Sequence, residues 1–158
     1  MAIKQPAVEK KTQAKRDYIF AVGRRKEAVA RVRLYEKLRE KFQWGATEIH
    51  KGDIIINEKM AADYFPGEVS RFAYTEPLRV ANAQNKYTIT VRVVGGGRAG
   101  QLDAVVAGLS NALVAANKDE YRAILKKKGF LTRDSRIRER RKVGTGGKAR
   151  RAKQSPKR

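Results

Sequence analysis

The chain is predicted to be α+β: an antiparallel-rich sheet with helices packed on one face, followed by a long, extended basic tail. Three observations predict it. AVARVRLY, residues 28–35, puts Ala28, Ala30, Val32 and Leu34 on one side of an extended segment and Arg31 and Arg33 on the other, the two-residue period of a half-buried strand. KYTITVRVV, residues 86–94, repeats the pattern, with Tyr87, Ile89, Val91 and Val93 opposed to Thr88, Thr90 and Arg92. Leu102, Val105, Val106, Leu109, Ala112 and Leu113 then recur at helical spacing. Strands followed by helices, rather than alternating with them, give an α+β order.

The remaining elements follow in chain order. Residues 1–16 lack periodicity and read as a flexible basic arm. YIFAV, Tyr18 to Val22, is a short aromatic and apolar strand. It pairs with AVARVRLY as a hairpin whose expected tip is Gly23-Arg24-Arg25-Lys26. Residues 36–52 are polar and give no clear element, and DIIIN, Asp53 to Asn57, is a third strand. EKMAADYF, residues 58–65, reads as a short helix closed by Pro66-Gly67. Residues 68–85 read as irregular, apart from a helical turn in LRVANA. A final helical piece carries Tyr121, Ile124 and Leu125 and stops at Gly129. The expected division is therefore an arm over 1–16, a globular body over 17–128 and a tail over 129–158.

Charge separates these regions. The 158 residues carry 37 Lys and Arg against 16 Asp and Glu, a formal net charge of +21. Residues 17–125 hold 17 cations and 13 acids, net +4, whereas residues 126–158 hold 15 cations and two acids, net +13. The middle is ordinary globular composition, and the last stretch is a polycation. Such an excess points to a polyanion partner, most often nucleic acid. Beyond Gly129 the sizeable apolar residues are Phe130, Leu131, Ile137 and Val143. That is too little to offset ordering entropy, so the tail is expected to order only on a partner.

Several classes of function fall away. With no cysteine, there is no disulfide scaffold, zinc ribbon or thiol nucleophile. His50 is the only histidine, which supports neither a zinc site nor a Ser-His pair, and it reads as a loop residue. The acids sit mostly beside Lys or Arg, as in solvated ion pairs. No uninterrupted apolar run reaches membrane-spanning length, and MAIKQPAVEKKTQAKRD has no secretory apolar region. No enzyme activity, cofactor, metal, membrane partner or small-molecule substrate is expected.

Two glycine runs test that view. In VVGGGRAG, Gly95, Gly97 and Gly100 fit the dinucleotide-binding spacing. Asp119 and Glu120 lie near the right distance downstream but beside a helical piece, not at the end of a second parallel strand, and the chain is short for the remaining βαβ units. Two readings stay open: a tight strand-to-helix connection, and a loop that lets backbone approach a nucleic-acid phosphate, with Arg98 adding charge. GTGGKA, Gly144 to Ala149, resembles a phosphate-binding P-loop. It has Ala149 where Ser or Thr should stand and no apolar strand before it, so it reads as a spacer between cations. Trp44 reads as part of a small cluster with Phe42, with base stacking as the alternative.

The candidate interface is basic. Arg24, Arg25 and Lys26 project from the hairpin tip, and Arg31 and Arg33 line the outward face of its second strand. The tail supplies Arg133, Arg136, Arg138, Arg140, Arg141 and Lys142, then Lys148, Arg150, Arg151 and Lys153. The arginine fork suits phosphate.

Four segments resemble, in order, a known family: AVGRRKEAVARVRLY, DIIINEKMAADYF, TITVRVVGGGRAGQLDAVVAGLSNAL and KKGFLTRDSRIRERRKVGTGGKARRAKQSPKR. Their most specific motifs are G-R-R-K-x-x-x-A-R-V, G-G-G-x-x-G-Q and L-T-R-D-x-R-x-x-E-R-x-K-x-G. They resemble the bacterial-type small-subunit ribosomal protein of the ninth family. The resemblance implies a fold shared with the second domain of the fifth small-subunit ribosomal protein. It implies a body bound to ribosomal RNA of the subunit head, among neighbouring ribosomal proteins in the cytoplasm. It also implies a tail threading toward the peptidyl site, with Lys157 and Arg158 on the tRNA anticodon stem-loop. The glycine run becomes a turn beside RNA, with Gly95, Gly96, Gly97, Gly100 and Gln101 near its backbone.

The chain departs from the pattern in three places. It ends Gln154-Ser155-Pro156-Lys157-Arg158, with Pro156 intruding and the usual aromatic missing; residues 36–52 are longer than typical; and Ala107 and Gly108 stand where many members carry a polar or basic residue. The rival readings are a DNA-compacting protein with a histone-like tail and an enzyme using the glycine loop for a nucleotide.

Overall fold

The computed structural model describes residues 17–37, 43–44 and 47–150. The arm over 1–16, Phe42, Arg151, Lys153, Lys157 and Arg158 lie outside them. Seven strands occur among the described residues: β1 (Ile19–Arg25), β2 (Ala28–Tyr35), β3 (Gln43–Trp44), β4 (Thr47–Glu48), β5 (Ile54–Ile56), β6 (Lys59–Met60) and β7 (Thr88–Val94). The helices are α1 (Ala61–Tyr64), α2 (Glu68–Val80), α3 (Arg98–Ala116) and α4 (Lys118–Lys127). The main sheet has the order β1-β2-β7-β5-β6, and β3 and β4 form a separate ribbon. Every pairing is antiparallel except β5 with β7. The α+β class is as expected.

One side of the sheet holds the core. Ala30, Val32 and Leu34 of β2 pair with Val93, Val91 and Ile89 of β7, and all six are buried. α3 lies over them and supplies Ala104, Val105, Leu109, Ala112 and Leu113, each without exposed surface. The helix comes close because two glycines permit it. A Cβ on Gly23 would lie 1.9 Å from the Ala104 carbonyl oxygen, and one on Gly108 would lie 2.7 Å from Val32 Cγ2. Gly23 is therefore a packing residue within β1, not part of a hairpin tip. Gly108 is likewise fixed by packing rather than standing at a surface position.

α3 is 19 residues long with a mean hydropathy of 1.3, long and apolar enough to cross a membrane by those measures. The run count over the sequence misses this because Gly, Ser and Asn interrupt it. Its packing against β1 and β2 is that of a core helix.

Two other expectations are corrected. Residues 68–85 are not irregular: α2 occupies thirteen of them, with Pro77 inside the helix. Its buried residues Tyr74, Pro77 and Leu78 fall at i, i+3 and i+4 on one side. Val69 and Phe72 are exposed apolar residues on the same helix, which blurs the periodic signal. EKMAADYF is only partly helical. Asn57 and Glu58 both have positive φ, 47° and 67°, the geometry of a two-residue hairpin turn, so Lys59 and Met60 pair back onto β5.

Candidate nucleic-acid interface

The hairpin turn consists of Lys26 and Glu27, since Arg25 already pairs with Ala28. Side chains alternate across a strand, so Arg24 and Arg25 point to opposite sides. Arg24 and Lys26 are exposed. Arg25 does not project. It lies on the helical side with 16% of its side chain exposed, its Nε 3.5 Å from Asp103 of α3 and its Nη2 2.9 Å from Asp134. Its Nη1 also donates to the Arg136 carbonyl at 2.9 Å. Arg25 thus ties the start of the tail to the body.

Asp134 is the other half of this clasp. It accepts from the Arg136 backbone N–H at 2.9 Å and from that residue's guanidinium at 2.7–3.1 Å. The Arg136 guanidinium, helped by Arg25, holds the Asp134 carboxyl well below the usual carboxylate range. Just before it, Phe130 and Leu131 pack against the core, so packing continues past Lys128. Near β1, a cavity of about 300 Å³ is lined by Val22, Arg24, Asn111 and Arg133 among others. It brings a cation of the body beside one of the tail.

The glycine run is a strand-to-helix turn. Gly95 and Gly96 have φ of 75° and 66°, backbone states that favour glycine. They also pass close to the β1–β2 turn: a Cβ on Gly95 would lie 2.5 Å from the Glu27 carbonyl oxygen, and one on Gly96 3.0 Å from Ala28. Gly100 is buried near Ala28. Gln101 is committed internally. Its amide donates to the Gly95 carbonyl at 3.0 Å, and its oxygen accepts from the Tyr64 hydroxyl at 3.0 Å. Asn57 extends the brace by bonding Val93 through both backbone groups. Residues 95–99 of the run are exposed, and Gly97 and Arg98 stand at the N-terminus of α3, which has neither a side-chain cap nor an acid in its first turn.

The sheet side away from α3 is basic. Arg31 pairs directly with Arg92, and Arg33 pairs with Thr90 on one side and Phe20 on the other. Arg31, Arg33 and Arg92 are exposed. Among the described residues, no carboxylate forms an ion pair with any of the three. Arg33 stands 5.1 Å over the Tyr18 ring, a cation–π contact. Half-buried Trp44 joins Phe20, Arg31, Arg33, Thr90 and Arg92 around a cavity of about 230 Å³.

Beyond Leu131 the described tail has no helix or strand, with turns after Lys142. The Thr145 hydroxyl lies within hydrogen-bond distance of the carbonyl oxygens of Lys142 and Lys148, its single proton serving one or the other, in a turn through Gly144, Gly146 and Gly147, all at positive φ. Arg150 pairs with Glu139, its Nε 3.0 Å from Oε2. Arg133, Arg138, Arg140, Arg141, Lys142 and Lys148 are exposed. His50 lies in a loop, where its backbone N–H donates to Asp53 at 2.8 Å. No cluster of metal-binding side chains occurs among the described residues.

The family profile described as ribosomal protein S9/S16 matches residues 23–158, from the middle of β1 through the tail. The chain belongs to the ribosomal protein S9/S16 family. A relative from Thermus thermophilus, small ribosomal subunit protein uS9, is 44% identical over 139 residues, covering 88% of this chain and 97% of the relative. Its namesake in Maridesulfovibrio salexigens is 42% identical over 132 residues, covering 84% and 91%. That of Leifsonia xyli is 41% identical over 138 residues, covering 87% and 74%. The membership includes the three motifs on which the resemblance rests.

Sequence reasoning left Arg92 and Phe20 out of the interface and gave Trp44 base stacking only as the alternative to a small cluster with Phe42. Period two already placed Arg92 outward, but the strand register that sets it opposite Arg31 is a tertiary fact.

Proposed function

We propose that this protein is a structural constituent of the small ribosomal subunit, binding ribosomal RNA of the subunit head and supporting translation without catalysis. The observation that carries the reading is a family match running continuously through body and tail, onto a chain whose excess charge is concentrated in that tail. On this reading its site is the cytoplasmic ribosome, among other proteins of the head.

The body offers phosphates the exposed Arg24, Lys26, Arg31 and Arg33, with Gly97 and Arg98 at the uncapped start of α3, where the helix dipole favours an anion. The glycines before it hold that helix start in place. Arg25 and Arg136 orient the tail rather than bind RNA. The tail lays its remaining cations along converging RNA strands, and its end, Lys157 and Arg158, reaches the peptidyl-site tRNA. Phosphate contacts position the protein, and RNA shape supplies specificity.

Sedimentation of cell extract through a gradient at physiological salt tests the assignment. The chain should travel with the small subunit and survive a moderate-salt wash. Migration free, or with chromosomal DNA, would overturn it, the second outcome in favour of a DNA-compacting protein. Substituting Arg158 should weaken tRNA retention in the peptidyl site without blocking assembly; unchanged retention would remove the tip from that role.

A further inference from the structure

We infer that the cavity on the side of the sheet away from α3, between Trp44 and Arg31, Arg33 and Arg92, holds one unstacked RNA nucleotide, its base against the aromatic wall and its phosphate on the arginines. The inference rests on the RNA-binding reading and gives it a specific site within the body.

Three features lead to it. Arg31 and Arg92 are directly opposed on β2 and β7. Like charges so placed destabilise a sheet, and no carboxylate among the described residues relieves them. An anion seated between them would. The anion is not a bare one, because the same cavity carries Trp44 and Phe20, flat apolar surfaces that give a phosphate nothing and a base a stacking partner. The volume, about 230 Å³, falls below the roughly 300–1,000 Å³ of pockets for drug-sized ligands, which suits a single base and not a dinucleotide.

The position fits as well. The cavity lies on the sheet side opposite the helices, so a nucleotide there meets three arginines on two neighbouring strands. Single-stranded loops and bulges are the RNA elements whose bases can be splayed out in this way. The site therefore selects an unpaired residue in the RNA, where the tail selects only charge.

Trp44 is the only tryptophan in the chain, so its fluorescence reports on this cavity alone. Full-length protein is titrated with a six-nucleotide single-stranded RNA and with an abasic oligonucleotide of the same length and charge. The RNA should change Trp44 emission saturably, and the abasic strand should leave it nearly unchanged. Arg92→Gln and, separately, Arg31→Gln should weaken the RNA response at least about tenfold, as expected for losing a charge-assisted phosphate contact, with far-ultraviolet circular dichroism unaltered. Equal responses to the two strands, or full affinity in both variants, would overturn the inference. Retention of a head ribosomal RNA fragment on filters is measured on the same samples. Retention without a Trp44 response ends the nucleotide site and leaves the RNA-binding function standing; loss of retention by the wild-type chain ends both.

Discussion

The body and the tail use charge in opposite ways. In the body, cations and acids nearly balance, and stability comes from apolar burial between α3 and the sheet. In the tail, 12 cations face two acids, and both acids are already engaged: Asp134 with Arg25 and Arg136, Glu139 with Arg150. The two carboxylates shape the tail, and among its described residues Arg133, Arg138, Arg140, Arg141, Lys142 and Lys148 are exposed. The clasp formed by Arg25 with Asp103 and Asp134 marks where one regime gives way to the other. A polycation can thus be carried by a stable domain without loading that domain with repulsion.

The comparison breaks most severely at the helix–sheet contact. Gly23→Val puts side-chain atoms where the Ala104 carbonyl already lies 1.9 Å from the Cβ position. The backbone of α3 must move away from β1, so the variant should lose cooperative thermal unfolding, read by circular dichroism. A wild-type melt would mean the close approach is dispensable.

A smaller effect lies at the junction. A chain cut after Lys128 loses Phe130 and Leu131, which pack against the core. It should still fold but melt several degrees below one cut after Asp134, since a partly buried large apolar side chain contributes about 1–3 kcal/mol. Equal melting temperatures would place the end of the body at Lys128, where the sequence puts it.

The smallest effect is on pH. The Asp134 carboxyl is held below its ordinary value in the folded chain, so its contribution is present above the unfolded pKa of about 4 and is lost as pH falls through the depressed folded value. Acid should therefore loosen the tail root before the core melts. Protection of the amides of residues 130–136, relative to their intrinsic exchange rates at each pH, should fall below about pH 4, and Asp134→Asn should show that lower protection already at neutral pH. Unchanged exchange in the variant would remove the clasp from the account.

How far the fold could be read from the chain depended on where each signal sat. β2, β7 and α3 announce themselves because one side of each is buried by one neighbour, so the period survives in the sequence. α2 was hidden because Val69 and Phe72 are apolar yet exposed and Pro77 reads as a breaker. The role of Arg25 was hidden for a different reason. Within GRRK it looks like one cation of a cluster, and only the alternation within β1 and a partner 111 residues away set it apart. The glycine run showed its turn but not its reason, which is the passing β1–β2 connection and the brace from Gln101. The basic tail was legible outright, because charge density needs no fold.

The most direct test of the division between body and tail is the salt dependence of binding to a head ribosomal RNA fragment, comparing the full chain with one cut after Asp134. With about half of the tail cations on phosphates, full-length affinity should fall by roughly 10³–10⁵ between about 50 and 200 mM salt. The shortened chain should bind more weakly with a much shallower slope. Equal slopes would contradict the account and move the electrostatic contact onto the body.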